Sequence, residues 1–357
     1  MHKKNVLPIH VFIFVVFSLS IISLVSSPGF AESQDNPIEL RLAHIAPPMS
    51  HGVKFGYEPW AKSIEEATKG KVKVTIYPGG SLFKPREAIS AVETGIADIV
   101  AFPLGYFAGR FNLTEVATLP MLVPSPSAEV YGRIAQELVE TTPEMQREFS
   151  GMKLLFLHAG DPYFVVTGNN PVRTLDDLKG LKLRTIGKVP SAAVKKMGAT
   201  PVMIPMPQLY DASAKGIIDG GLIFKTMILD LKLTEIFDYW LDVPMYCGFS
   251  AVAMNSDKWN SLPTDVQKAV MSVSGMKGAI FVSDHGFGVH VSDKLDAMVK
   301  KEGHKWERTE FEKEELLKLK NTVAKPIWEE WVNEMEKKGL PGQKVLDKAL
   351  QLTEKNS

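Results

Sequence analysis

Between residues 38 and 102 the spacing of apolar residues switches repeatedly between two and about three and a half, and this rhythm constrains the fold more than any motif. "IELRLAHI" (38–45) sets Ile38, Leu40 and Leu42 two apart, as in a half-buried strand, and "KVKVTIYP" (71–78) repeats the spacing with Val72, Val74 and Ile76. Between them "GVKFGYEPWAKSIEEATKG" carries Phe55, Trp60, Ile64 and Ala67 at helical spacing and stops at Gly70, with Trp60 read as helix packing. A second helix follows in "KPREAISAVETG", with Pro85 in its first turn, and then "IADIVAF" (96–102), a continuous apolar run typical of a strand buried on both faces.

The alternation continues through "MKLLFLH" (152–158), "YFVVTG" (163–168), "LKLRTI" (181–186) and "TPVMI" (200–204) as strands. They are separated by "TLDDLKG", in which Thr174 and Asp177 have the spacing of a capping box, and by "PSAAVKKMG". Strands alternating with helices predict an α/β fold with helix-covered, parallel sheets. From about Pro263 the pattern becomes helical, ending in "EFEKEELLKLKNTVAKPIWEEWVNEMEKKG", whose Glu and Lys residues suit a solvated helix face.

The N-terminus has the layout of a secretory signal peptide: His2, Lys3 and Lys4, an apolar stretch from about Val11 to Val25, then small residues up to Ala31. Cleavage is expected after Ala31; the alternative is an uncleaved N-terminal anchor. Of 41 basic and 41 acidic side chains, residues 1–31 contain Lys3 and Lys4 and no acid, so the mature chain carries a net charge of −2. That balance argues against nucleic acid or an anionic membrane as partner, and no later run is apolar enough to span a bilayer. Cys247 is the only cysteine, which excludes an internal disulfide. The expectation is a periplasmic protein that is not inserted in the membrane.

Reaction chemistry is hard to find. No P-loop, G-x-G-x-x-G, G-x-S-x-G or H-E-x-x-H pattern occurs, and neither His44 with His51 nor His285 with His290 has metal-ligand spacing on one helix. No metal or cofactor is therefore expected. Asp98 and Asp219 make the most suggestive acidic pair, but each is read as ending a helix-to-strand connection. An exported α/β chain without a reaction centre points to ligand capture, in a cleft outside the carboxyl ends of strands. Arg184, near the end of "LKLRTI" and before Gly187, can hold a carboxylate there through two parallel hydrogen bonds; on spacing alone the alternative is a surface arginine at a strand end. His44, Phe102 and Tyr106 lie at or just past strand ends and are either wall or core residues. Arg110 is a second carboxylate anchor or a structural arginine.

Over almost the whole mature chain the sequence resembles the solute-binding subunits of tripartite ATP-independent periplasmic (TRAP) transporters, of the dicarboxylate-binding type. The likeness runs through "LRLAHIAPPMSHG", "VKVTIYPGGSLF", "AISAVETGIADIV", "GRFNLTEVATLP", "NNPVRTLDDLKGLKLR", "MGATPVMIPMPQLYDASAKGIIDGG" and "MNSDKWNSLPTDVQKAV". It implies a two-domain periplasmic binding protein clamshell with mixed sheets, crossing strands and a long linking helix. The lobes are expected over 32–161 plus 249–288 and over 162–248 plus 289–357. It also implies that Arg184 grips the ligand carboxylate and that a membrane permease receives the ligand.

Two departures narrow the ligand. The second arginine of sialic-acid-binding members falls near Phe164 here, and the segment that carries Glu and Asn in many members reads Leu222, Ile223 and Phe224. Walls of Phe164, Ile223 and Phe224 favour a monocarboxylate with an apolar body over a sugar acid. With Arg110 as a second carboxylate anchor, a C4-dicarboxylate is the alternative ligand. The competing functions are a ligand sensor for a signalling receptor and a secreted hydrolase or lyase on the same scaffold.

Overall fold

The computed structural model describes residues 36–288 and 290–356, and Pro37–Ser357 form one compact unit. The expected signal peptide and its cleavage site lie outside the described residues.

One nine-stranded sheet organises the chain, in the order β2-β1-β3-β8-β4-β7-β5-β6 with β9 also on β8. Its strands are β1 (Ile38–His44), β2 (Val72–Tyr77), β3 (Ile99–Pro103), β4 (Met152–Thr167), β5 (Lys182–Thr185), β6 (Thr200–Met203), β7 (Gly220–Phe224), β8 (Tyr239–Asn255) and β9 (Glu307–Thr309). β1 runs parallel to β2 and β3, and β5 parallel to β6 and β7, as the alternation predicts. The sheet as a whole is nevertheless mixed, because β8 is antiparallel to β3 and β4, and β4 is antiparallel to β7.

β4 and β8 join the two parallel groups. They have 16 and 17 residues, well over the usual strand length of about 5–6. The sequence reading divides β4 at Asp161–Pro162, yet the strand continues through a register shift between Ala159 and Pro162. Such an irregularity leaves the ladder locally unpaired, which is how a proline without an N–H is tolerated mid-sheet. β8 contains Pro244 and Gly248, the punctuation that hides a strand from a pattern search.

Alternation along β3 divides its side chains between two cores. Ile99 and Ala101 join Leu40, Leu42, Trp60 and Ile64 on the side of helix Glu58–Ala67. Val100 and Phe102 face the other side, with Ile134 and Leu138 of helix Ala128–Thr141. Burial on both faces explains the uninterrupted apolar run in the sequence. Gly132 lets that helix approach helix Gly275–Phe287: a Cβ there would stand 2.2 Å from Ser283 Oγ.

The long C-terminal helix forms as Lys313–Leu319, a π-helical turn Lys320–Ala324 and Lys325–Lys337. The widened turn directly precedes Pro326, whose missing N–H cannot continue an α-helical ladder. Trp328 and Trp331 donate to the carbonyls of Pro120 and Asn112, while Lys196 pairs with Glu330 from beside β6.

Candidate functional site

Arg184 sits on β5 between Leu183, which packs into the main core, and Thr185. It pairs in register with Gly221 on β7, where the missing side chain leaves room for an arginine inside the sheet layer. The side chain is 1% exposed. Its Nε donates to the Ile204 carbonyl at 3.1 Å and its Nη1 to the Leu222 carbonyl at 3.3 Å. Among the described residues no carboxylate comes within ion-pair distance of it, although neighbouring Lys188 and Lys196 each have a glutamate. A buried cation held by two carbonyls and a neutral phenol, Tyr163, is short of a counter-ion.

The guanidinium opens onto a cavity of about 120 Å³, walled by Ile45, Leu104, Gly105, Ile186, Met206, Phe249 and Phe287 among others. That is close to the volume of an apolar protein cavity that takes one benzene, about 150 Å³. Arg184 is the only Lys or Arg among its described lining residues. Three phenols stand around the cation. Tyr163 stacks on Tyr246 with ring centroids 4.5 Å apart, and Tyr106 Oη accepts the Met206 N–H. Burial raises all three phenol pKa values, Tyr163 to about 12 against the opposing pull of Arg184, so they stay neutral and can donate to an anion.

The cavity wall has further polar side chains. His44 and His158 both line it, and burial pulls both down to about 4, so both are neutral near pH 7. Two carboxyls reach the cavity, Glu115 raised to about 7 and Asp230 to about 6, in each case mainly by burial. Both are far easier to keep protonated than surface acids. Asp230 accepts the backbone N–H of His51 at 2.9 Å.

Of the residues expected from the sequence, Arg184, His44, Tyr106 and Phe224 come together on the cavity wall. The other four lie elsewhere. Phe164 packs edge-on to Trp240 with Lys225 Nζ 5.3 Å from its ring centroid. It belongs to the face opposite Tyr163, because neighbouring strand residues point to opposite sides. Ile223 is one residue out in the same way and lies in the core of β4, β7 and the helix Lys225–Asp230. Phe102 packs against Phe107 and Phe111 behind the wall. Arg110 is on the surface, beside Glu93 and donating to the Ser150 carbonyl, away from the cavity wall.

Tyr163, Tyr246, Tyr57, His158 and Ser50 are cavity residues that the sequence reading misses. Strict alternation from Phe164 would have found Tyr163. Tyr246 lies on β8, which has no clear pattern. Asp98 and Asp219 are occupied outside the cavity, by Arg41 and by the Lys182 N–H. Among the described residues no group of three or more His, Cys, Asp or Glu is placed to hold a metal.

The model of the family described as bacterial extracellular solute-binding protein, family 7, matches residues 42–334. The chain belongs to this family. An outer membrane transporter protein, TsaT, of Comamonas testosteroni is 26% identical over 90% of this chain and 92% of its own. A TRAP solute-binding protein from Rhodoferax ferrireducens, in complex with copurified benzoate, shares the fold at a TM-score of 0.83 and 24% identity, over 89% of this chain and 98% of its own. A marine metagenome TRAP protein specific for aromatic acid ligands, in complex with 3-hydroxybenzoate, is 26% identical with a TM-score of 0.81, over 90% of this chain and 99% of its own.

These matches bear out the resemblance to TRAP solute-binding subunits and the two-lobed α/β architecture. A family 7 binding protein captures solutes outside the cytoplasm, and no described helix of this one is long and apolar enough to cross a membrane.

Proposed function

We propose that this binding protein captures an organic monocarboxylate with a compact apolar body, with Arg184 on the carboxylate, and delivers it to a TRAP permease. The observation that carries this reading is an arginine 1% exposed on the cavity wall, bonded to two carbonyls and interacting with the neutral Tyr163 phenol, with no carboxylate in ion-pair distance among the described residues. A ligand carboxylate supplies the missing counter-ion through charge-assisted hydrogen bonds. The apolar wall and the aromatic acids bound by similar proteins support the rest. Among the described lining residues a dicarboxylate meets no second Lys or Arg.

Capture proceeds by closure of a lobe of residues 32–161 plus 249–288 on a lobe of 162–248 plus 289–357. Two facts support these bounds. The wall draws on both sets, with His44, Tyr57 and Phe249 from the first and Arg184, Phe224 and Asp230 from the second. The strands that cross between them are irregular where the bounds fall, between Ala159 and Pro162 of β4.

A thermal-shift screen of residues 32–357 tests the ligand class. Binding to the native state alone adds about 2.7 kcal/mol at a hundredfold excess over Kd. Benzoate or phenylacetate raises the melting temperature, and succinate and sugar acids do not. A response confined to dicarboxylates or sugar acids contradicts the reading.

A further inference from the structure

Besides Arg184, the cavity wall holds polar side chains whose bonding capacity the fold leaves unused. His44 is 2% exposed and Ser50 3%, both line the cavity, and neither ring nitrogen of His44 nor the Ser50 hydroxyl has a hydrogen-bond partner. The Ala46 backbone lies near enough to oppose the fall in the His44 pKa but outside hydrogen-bond geometry. A buried donor or acceptor left in this way costs about 1–3 kcal/mol.

The neighbours do not absorb this capacity. His158 Nδ1 lies 3.3 Å from the Ala159 carbonyl, which can only accept, so Nδ1 carries the proton of the neutral ring. Its Nε2 then accepts from the Tyr57 hydroxyl at 2.7 Å. The only proton of Tyr57 is thereby committed, and the Tyr57 ring stacks on His44 at 5.3 Å, fixing the imidazole plane. A neutral imidazole offers one donor and one acceptor, and a serine hydroxyl offers both. With Asp230 on the same wall, a second carboxylate is disfavoured.

We propose that His44 and Ser50 form a second, uncharged subsite that recognises a hydroxyl or carbonyl on the ligand, and so select hydroxy- or oxo-substituted monocarboxylates over unsubstituted ones. This rests on Arg184 holding the carboxylate. It adds a polar requirement beside the carboxylate contact.

The test is calorimetric titration of matched acids: benzoate against 3-hydroxybenzoate and 4-hydroxybenzoate, and phenylacetate against 4-hydroxyphenylacetate. At least one hydroxylated acid binds about tenfold or more tightly than its parent, the worth of one buried hydrogen bond. His44→Phe, which keeps the stacked ring, brings that pair within about threefold of each other. Ser50→Ala, which removes a hydroxyl unbonded in the fold, lowers the preference by threefold or more and carries the comparison if His44→Phe does not fold. Parent and hydroxylated acids binding alike to the wild type, or a preference that survives in the variants, overturns the subsite while leaving the carboxylate site standing. Failure of every acid to bind overturns the carboxylate reading and the subsite with it.

Discussion

The Cβ that Gly221 lacks would stand 2.7 Å from Cβ of Arg184 and 3.2 Å from its backbone nitrogen. The two residues face each other on β7 and β5, so the glycine is the space in which the arginine is held. Gly221→Ala forces the strands apart or turns the guanidinium. The expected result is a loss of stability of about 1–3 kcal/mol and at least a tenfold weaker affinity for benzoate, read by urea denaturation and calorimetry. Wild-type behaviour in both would mean that Arg184 does not depend on this contact.

Asp230 makes stability depend on pH in a defined direction. The unfolded chain releases this proton near pH 4, whereas burial holds it in the folded protein to about 6. Between those values the folded state binds more protons, so this group's contribution to stability falls as pH rises through about 6. Asp230→Asn keeps an oxygen for the His51 N–H and removes the titration. Its stability relative to wild type should improve between pH 4 and pH 7.5, by roughly 1–3 kcal/mol after allowing for partial exposure. An equal difference at both pH values would count against a protonated Asp230.

Cys247 should be inert in the native state. It is fully buried on β8, its thiol donates to the Gly160 carbonyl, and burial raises its pKa well above the ordinary value. Thiolate is the reactive form, so iodoacetamide labels the protein in denaturant and leaves the native protein unmodified over hours. Rapid native labelling would mean that the β4–β8 crossing opens readily.

How much of this was legible in the sequence depends on range. β1 to β3 and the helices between them follow from local periodicity, as does the Thr174–Asp177 capping box. The path of β4 and β8 does not, because pairings such as Phe102 with Ala251 and Tyr163 with Tyr246 join residues far apart in the chain. Site residues divide in the same way. Arg184 stands out as a cation in an apolar strand, whereas Phe164 and Ile223 lie on the strand faces away from the cavity that Tyr163 lines, and a one-residue shift exchanges the faces of a strand. The unpartnered state of His44 and Ser50 is a property of packing that no spacing reveals.

Arg184, buried without a carboxylate in ion-pair distance among the described residues, waits for a ligand carboxylate. Isothermal titration of benzoate, or of the acid giving the largest thermal shift, into wild type and Arg184→Ala tests it directly. Losing one partner of a buried charged pair costs roughly 2–5 kcal/mol, so the variant should bind about 30-fold to several thousandfold more weakly. A change smaller than about threefold would contradict the account and move the carboxylate to another part of the cavity.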